Sequence, residues 1–326
     1  ILADKIMELC RTKVCMIAME PDKMPRLEQE KESLTKLGYD VKVLKPKLRF
    51  RFKPRVVSAI LRYSVYAFFQ VPFSKADIYH VHNNPDVGFF AILKRGKFVY
   101  DVRNPWGEEV YDLTGHGLVS KICTWIERTL TKRADVVIVA NHKLAERAKA
   151  WGAQKVFVVP NYPTKEFKPT INPSEMKRKY NLERKKIAVF AGNFEKVECA
   201  LDLVQMVPEI LKEVPEFILI MIGDGTQKAL IDEFIKMNKI EENVLLIGRI
   251  PRLEVPNWLA IADVIAVPRN ANIRSAPYYC PESIWKVTEA LFLDKPVVSC
   301  PVGGFINSPY KGVKIASLEQ FHEAII

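Results

Sequence analysis

Short apolar runs alternate with amphipathic helical stretches along most of the chain, and that alternation constrains the fold more than any other feature. KVCMIAM is followed by the helical pattern PRLEQEKESLTKLG and then by YDVKVLK; DIYHVH, KFVYDV and DVVIVA continue the series, and VFVVPNYP closes it. Parallel strands need a crossover, usually a helix, and strands covered on both faces read as unbroken apolar runs. A second series starts at KIAVFAG and runs through LDLVQMVPEILKEV, FILIMIG, TQKALIDEFIKMN, NVLLIG, DVIAVP, WKVTEALFLD and KPVVSCP. Gly38, just past the first helical pattern, fits a left-handed helix stop. Pro208, inside LDLVQMVPEILKEV, is expected to kink or shorten that helix because it removes a backbone donor. Pro160, Pro163, Pro169 and Pro173 punctuate a linker from about residue 160 to 173, so two domains are expected, 1–163 and 164–326. The fold class is α/β, with two doubly wound Rossmann-like lobes facing each other across a cleft.

Composition narrows the partners. Hydrophobic residues make up 48% and charged residues 27% of the 326, as in a soluble globular protein. Lys plus Arg number 49 against 38 Asp plus Glu, a net +11 that favours anionic partners. The six cysteines form no C-x-x-C pair, which argues against a zinc site and for reduced thiols in the cytoplasm. No apolar run reaches the ~20 residues of a membrane span. The chain opens without Met and stops at FHEAII inside a helical pattern, which reads as a fragment lacking its natural C-terminus. No G-x-G-x-x-G follows a strand, which disfavours a dinucleotide-dependent dehydrogenase.

The segment from Pro268 to Gly304 carries the chemistry. A strand–loop–helix–strand unit puts the helix N-terminus at the carboxyl edge of a parallel sheet, where doubly wound proteins bind ligands and where free N–H groups face an anion. Lys286 and Glu289, three apart, share a helix face; the pair suits a ligand with a phosphate and a hydroxylated ring. From Lys45 to Phe73, basic residues at every second position from Lys45 to Arg55 interleave with Leu48, Phe50 and Phe52, and a helical stretch follows. Such a pattern suits an acidic membrane surface, or a solvated basic edge leading into a core helix, and more remotely single-stranded nucleic acid.

VFAGNF, FILIMIGDGTQKALI, NVLLIGRIPRLEVPNWLAIADVIAVP and WKVTEALFLDKPVVS, in that order, resemble the donor-binding lobe of glycosyltransferase family four, which has the GT-B fold. PRLEQEKESLTKLGYDVKVL, DIYHVH, VYDVRNPW and RADVVIVANHKLAERA resemble members that act on lipid-linked acceptors. The resemblance implies a retaining hexosyl or N-acetylhexosaminyl transfer from a nucleotide-diphosphate sugar to a lipid-linked or glycan acceptor, with no cofactor and no metal. It implies a cytoplasmic enzyme peripheral to the membrane through Lys45 to Phe73, with nucleic acid an improbable partner. By the same resemblance Glu289 accepts the ribose hydroxyls, Lys286 contacts phosphate, and Gly192 lets the diphosphate approach the backbone. The family's next residue is usually Arg and is Asn193 here; a lysine expected farther on is replaced by the run VECA, and Lys196 is a substitute charge. Gly223 and Gly225 form a β–α turn on the donor side, and Arg249 is a phosphate or base contact while Arg252 reads as a surface charge. Glu282, seven residues before Glu289 rather than eight, is either a donor-sugar contact or a helix-start charge. Arg103 stands where many relatives carry a histidine, with Asp101 to orient it; these two and Glu282 are the candidate catalytic residues. Arg26 and His82 are placed on the acceptor side, His82 with the alternative of a structural histidine. Asn193 and the shifted Glu282 keep open a second reading, a non-catalytic GT-B-like nucleotide- or glycan-binding protein.

Overall fold

The run KVCMI forms β1 (Lys13–Ile17), whose last four residues are buried, as a central parallel strand requires. This is seen in a computed structural model that describes residues 12–18, 24–45, 66–83, 88–306 and 310–326. The chain divides into two compact units, Ile1–Pro160 and Asn161–Ile326.

In the first unit, α1 (Pro25–Lys36) follows β1 and leads to β2 (Asp40–Leu44). The amides of Leu37, Gly38 and Tyr39 donate back to Ser33, Thr35 and Leu34. Gly38 closes this turn at φ 91°, as its place in the sequence requires. β3 (Ile78–His82), β4 (Lys97–Val102), β5 (Val136–Val139) and β6 (Val156–Val158) complete a six-stranded sheet, ordered β2-β1-β3-β4-β5-β6 and parallel throughout. The order reverses between β1 and β3. Between β4 and β5 lie α2 (Trp106–Thr114) and α3 (Gly117–Arg133), and α4 (His142–Ala150) bridges β5 and β6, capped by Asn141.

The second unit begins with the irregular segment through Pro169, ending in α5 (Pro173–Lys179), a helix absent from the expected linker. Then come β7 (Lys186–Ala191), α6 (Ala200–Gln205), α7 (Val207–Glu213), β8 (Phe217–Ile222), α8 (Lys228–Asn238), β9 (Val244–Gly248), α9 (Val255–Ala260), β10 (Val264–Val267), α10 (Trp285–Phe292), β11 (Val297–Ser299), β12 (Val313–Ile315) and α11 (Phe321–Ile325). Pro208 does shorten its helix: α6 stops at Gln205 and α7 restarts with Pro208 in its first turn. The sheet is again all parallel, ordered β12-β11-β10-β7-β8-β9. All six residues of β8 are buried, and at ~1.5–3 kcal/mol for each large apolar side chain this central strand anchors the core. The order here reverses between β7 and β10, so the loops after those two strands frame the crevice at the carboxyl edge.

Candidate functional site

Each unit gathers charged side chains beside its own switch point. In the second unit the loop after β7 starts at Gly192, and a Cβ there would meet Lys286 Nζ at 2.5 Å. A side chain at position 192 and the Lys286 ammonium cannot share that space, so glycine leaves the backbone open beside the cation. Gly223 and Gly225 serve the same loop from behind. A Cβ on Gly223, at φ 142°, would lie 1.8 Å from the Gly192 carbonyl oxygen, and one on Gly225 would lie 2.5 Å from that of Phe194. These two glycines therefore let the loop after β8 seat the loop after β7.

Lys286, in the first turn of α10, has a side chain only 11% exposed, with Nζ 4.6 Å above the Phe190 ring and paired with Glu198. Arg269, directly after β10, donates to the other oxygen of Glu198 at 2.8 Å and lies over Tyr279 at 4.4 Å. Burial lowers the Lys286 pKa, with Glu198 opposing. Burial pushes the Glu198 carboxyl up, but Lys286 and Arg269 together more than offset it and leave it lowered. Glu289 is buried one turn along the helix, and burial raises its pKa to about 7 although Arg252 and Lys286 pull the other way. Arg252 is no bare surface charge: its guanidinium pairs with Glu289 at 2.5 Å and stacks on Trp285 at 4.6 Å.

The remaining expected donor-side residues lie elsewhere. Asn193 and Lys196 are exposed, and the cation that a Cβ at Gly192 would meet is Lys286. Arg249 is 73% exposed and 4.0 Å from Asp224, a pair of small energetic weight. Glu282 sits in the single turn Pro281–Ser283, whose backbone is held by Asn161: the Asn161 amide donates to the Glu282 carbonyl at 2.9 Å and its side chain to that of Ser283 at 2.7 Å. Sequence reading missed Glu198 and Arg269. The signal was positional, since both lie in the loops after the two strands that flank the switch point.

In the first unit Arg26, His80, His82, Asp101 and Arg103 converge, joined by Glu30, which the sequence reading did not single out although it lies one turn after Arg26 on α1. Arg26 Nε meets Glu30 at 2.7 Å and Asp101 at 3.3 Å, while its NH1 donates to the Val159 carbonyl at 2.5 Å. His80 and His82, alternate residues of β3, stack at 4.3 Å on one face of the strand. Arg103 NH2 lies 2.9 Å from His82 Nδ1. A guanidinium only donates, so Nδ1 is the acceptor and the imidazole proton sits on Nε2, 3.6 Å from Glu30. Burial depresses the His82 pKa to about 3, the neutral state this tautomer requires. Burial opposes ionisation of Asp101, yet His80, Arg103 and Arg26 together hold its pKa well below the usual range. Burial and then Asp101 raise that of Glu30. Glu30, His80, His82 and Asp101 carry the donor atoms of a metal site. Arg26 and Arg103 lie among them, however, and two guanidiniums already balance the two carboxylates. A divalent ion would leave that buried cluster with uncompensated positive charge.

No helix among the described residues is long and apolar enough to cross a membrane. Of the basic stretch, only Lys45 and residues 66–73 are described; its alternating segment lies outside the described residues. The π-helical turn Tyr66–Gln70 exposes Phe68 and Phe69. Phe68 packs on Phe90 at 4.7 Å, and Phe89 on Trp125 of α3 at 5.9 Å. Leu118, Ile122 and Trp125 are at least half exposed along that helix.

Residues 25–162 match the family described as "Glycosyl transferase 4-like domain", and residues 185–326 match "Glycosyl transferases group 1". Over 268 residues the chain is 25% identical to an alpha-monoglucosyldiacylglycerol synthase of Acholeplasma laidlawii, covering 72% of this chain and 67% of that one. Over 93 residues it is 32% identical to an N-acetyl-alpha-D-glucosaminyl L-malate synthase of Bacillus anthracis, 28% of this chain and 24% of that one. Among solved structures, sucrose-phosphate synthase from Thermosynechococcus elongatus superposes with a TM-score of 0.72 at 14% identity, covering 97% of this chain and 88% of that one. WaaG, a glycosyltransferase involved in lipopolysaccharide biosynthesis, gives 0.69 at 14% identity, with 95% and 88% covered. Anabaena HepE in complex with UDP-glucose gives 0.64 at 16% identity, with 97% and 89% covered. Two family matches that between them run through most of the sequence, in a chain built from two doubly wound units, have one reading: the protein belongs to glycosyltransferase family 4 and is a glycosyltransferase of GT-B type.

Proposed function

We propose that the protein transfers a hexosyl or N-acetylhexosaminyl group from a nucleoside-diphosphate sugar to a lipid-linked or glycan acceptor, with retention of configuration. The observation that carries the donor side is the open backbone at Gly192 beside Lys286, which Glu198 links to Arg269, with Glu289 one turn farther along the same helix. In this reading the diphosphate lies against Gly192 and the cations, and Glu289 takes the ribose hydroxyls once Arg252 yields. The cations neutralise the charge that grows on the diphosphate as the glycosidic bond breaks, and fixed charges in a water-poor pocket do this with little reorganisation. No step needs a metal or cofactor, because side chains supply the charge. UDP-glucose bound in Anabaena HepE supports a nucleotide sugar as the donor class. In the first unit, neutral His82, Arg103, Asp101 and Arg26 are proposed to form the acceptor side, and in the second unit Glu282 is proposed to contact the donor sugar.

Thermal stability measured against UDP, GDP, ADP, CDP and their sugars tests the donor site. A true donor at a hundredfold excess over its dissociation constant adds about 2.7 kcal/mol, and Glu289→Ala abolishes the shift. A folded protein that no nucleotide stabilises would refute the transferase reading.

The exposed aromatic surface supports the proposed lipid-linked acceptor. Phe68, Phe69, Leu118, Ile122 and Trp125 are exposed, as are Lys121, Arg128 and Lys132 on the same helix, so rings and cations are presented together, as a membrane interface with acidic head groups requires. Binding to vesicles containing phosphatidylglycerol is expected, with none to pure phosphatidylcholine. Trp125→Glu weakens it without altering nucleotide binding; equal binding by the variant places the contact elsewhere.

A further inference from the structure

Glu198 has no part in the chemistry above, yet it touches both cations that the donor needs. It ends the turn Lys196–Glu198 after β7, just before Cys199, which holds a left-handed backbone at φ 49°. Its two oxygens are divided between partners, one on Arg269 at 2.8 Å and the other on Lys286. The three side chains are 10–17% exposed, so bulk water screens them little. Each cation also rests on a ring, Lys286 on Phe190 at 4.6 Å and Arg269 on Tyr279 at 4.4 Å. Those rings keep the cations in place when the carboxylate lets go. One carboxylate spanning two cations beside an open backbone has the charge and the divergent oxygens of a phosphate group.

We infer that Glu198 is a built-in stand-in for a donor phosphate: it holds the contacts of Lys286 and Arg269 until a donor binds, competes with the diphosphate for them, and so sets donor affinity. This rests on the donor site proposed above. With two cations and one anion the three side chains carry a single net positive charge. A ligand with one phosphate displaces Glu198 poorly, whereas a diphosphate can hold both cations, so the carboxylate also sharpens discrimination between them.

Calorimetric titration with inorganic pyrophosphate, which needs no knowledge of base or sugar, tests the inference on the full chain. Glu198→Gln is expected to bind pyrophosphate at least about tenfold more tightly than the wild type, about 1.4 kcal/mol. The gain vanishes when Lys286→Met is added to it. Equal or weaker binding by a folded Glu198→Gln protein overturns the inference and leaves the donor site standing, with Glu198 as a positioning residue. If Glu198→Gln is too unstable to titrate, its thermal shift on adding saturating pyrophosphate must exceed that of the wild type; an equal shift also overturns the inference. Absence of binding by either protein, to pyrophosphate and to every nucleoside diphosphate, removes the donor site and this inference together.

Discussion

Lys286→Met is expected to lower the turnover of sugar transfer by roughly 10²–10³-fold, the usual loss when one preorganised charge is taken from a transition state. Methionine is close in length, keeps contact with the Phe190 ring that Nζ now overlies, and removes only the charge. The fold should survive, because Glu198 keeps its bond to Arg269 and a buried cation has been deleted rather than created. The loss should fall more on kcat than on KM for the donor, since negative charge on the diphosphate is greatest as the leaving group departs. Steady-state release of nucleoside diphosphate, from whichever sugar nucleotide stabilises the wild type, measures it. Unchanged kcat in a folded variant would show that Lys286 does not meet the leaving group.

Asp101→Asn should cost the first unit about 3–5 kcal/mol, the range found when one partner of a buried ion pair is removed. Asp101 is fully buried and lies within 3.3 Å of Arg26 and 3.9 Å of Arg103. Glu30 alone would then face two guanidiniums. Urea denaturation at neutral pH reads the loss directly, and a change below 1 kcal/mol would mean that the cluster draws its stability from packing. The same residues predict an acid limb. Between about pH 6.5 and 3 the unfolded chain binds a proton at His82 that the folded chain does not, so folding stability falls as pH drops through that window. The depressed Asp101 pKa acts in the same direction at lower pH, its contribution being present above the unfolded carboxylate value and lost as pH falls through the folded one. His82→Asn should flatten the upper part of that limb.

What was legible in the sequence was what repeats or is local. Unbroken apolar runs separated by helical periods specify a parallel sheet twice over, because only strands covered on both faces lack an outward polar register. Gly38 at φ 91° and the break at Pro208 follow from backbone sterics within a few residues. The pairing of His80 with His82 follows from a period of two, and that of Lys286 with Glu289 from the helical turn.

Contacts between residues far apart in sequence were decided by tertiary structure alone. Glu198 reads as one acidic residue in a loop; it becomes a bridge between Lys286 and Arg269 only because β7 and β10 are neighbours in the sheet. Glu30 reads as a solvent-facing helix charge until α1 lays it against β3 and β4. Arg252 was misjudged for the same reason: burial and partner choice depend on which segments the fold brings together, and these determine whether a charge is solvated or spent on another side chain. Periodicity records which face of a segment is turned inward, but not what waits there to meet it.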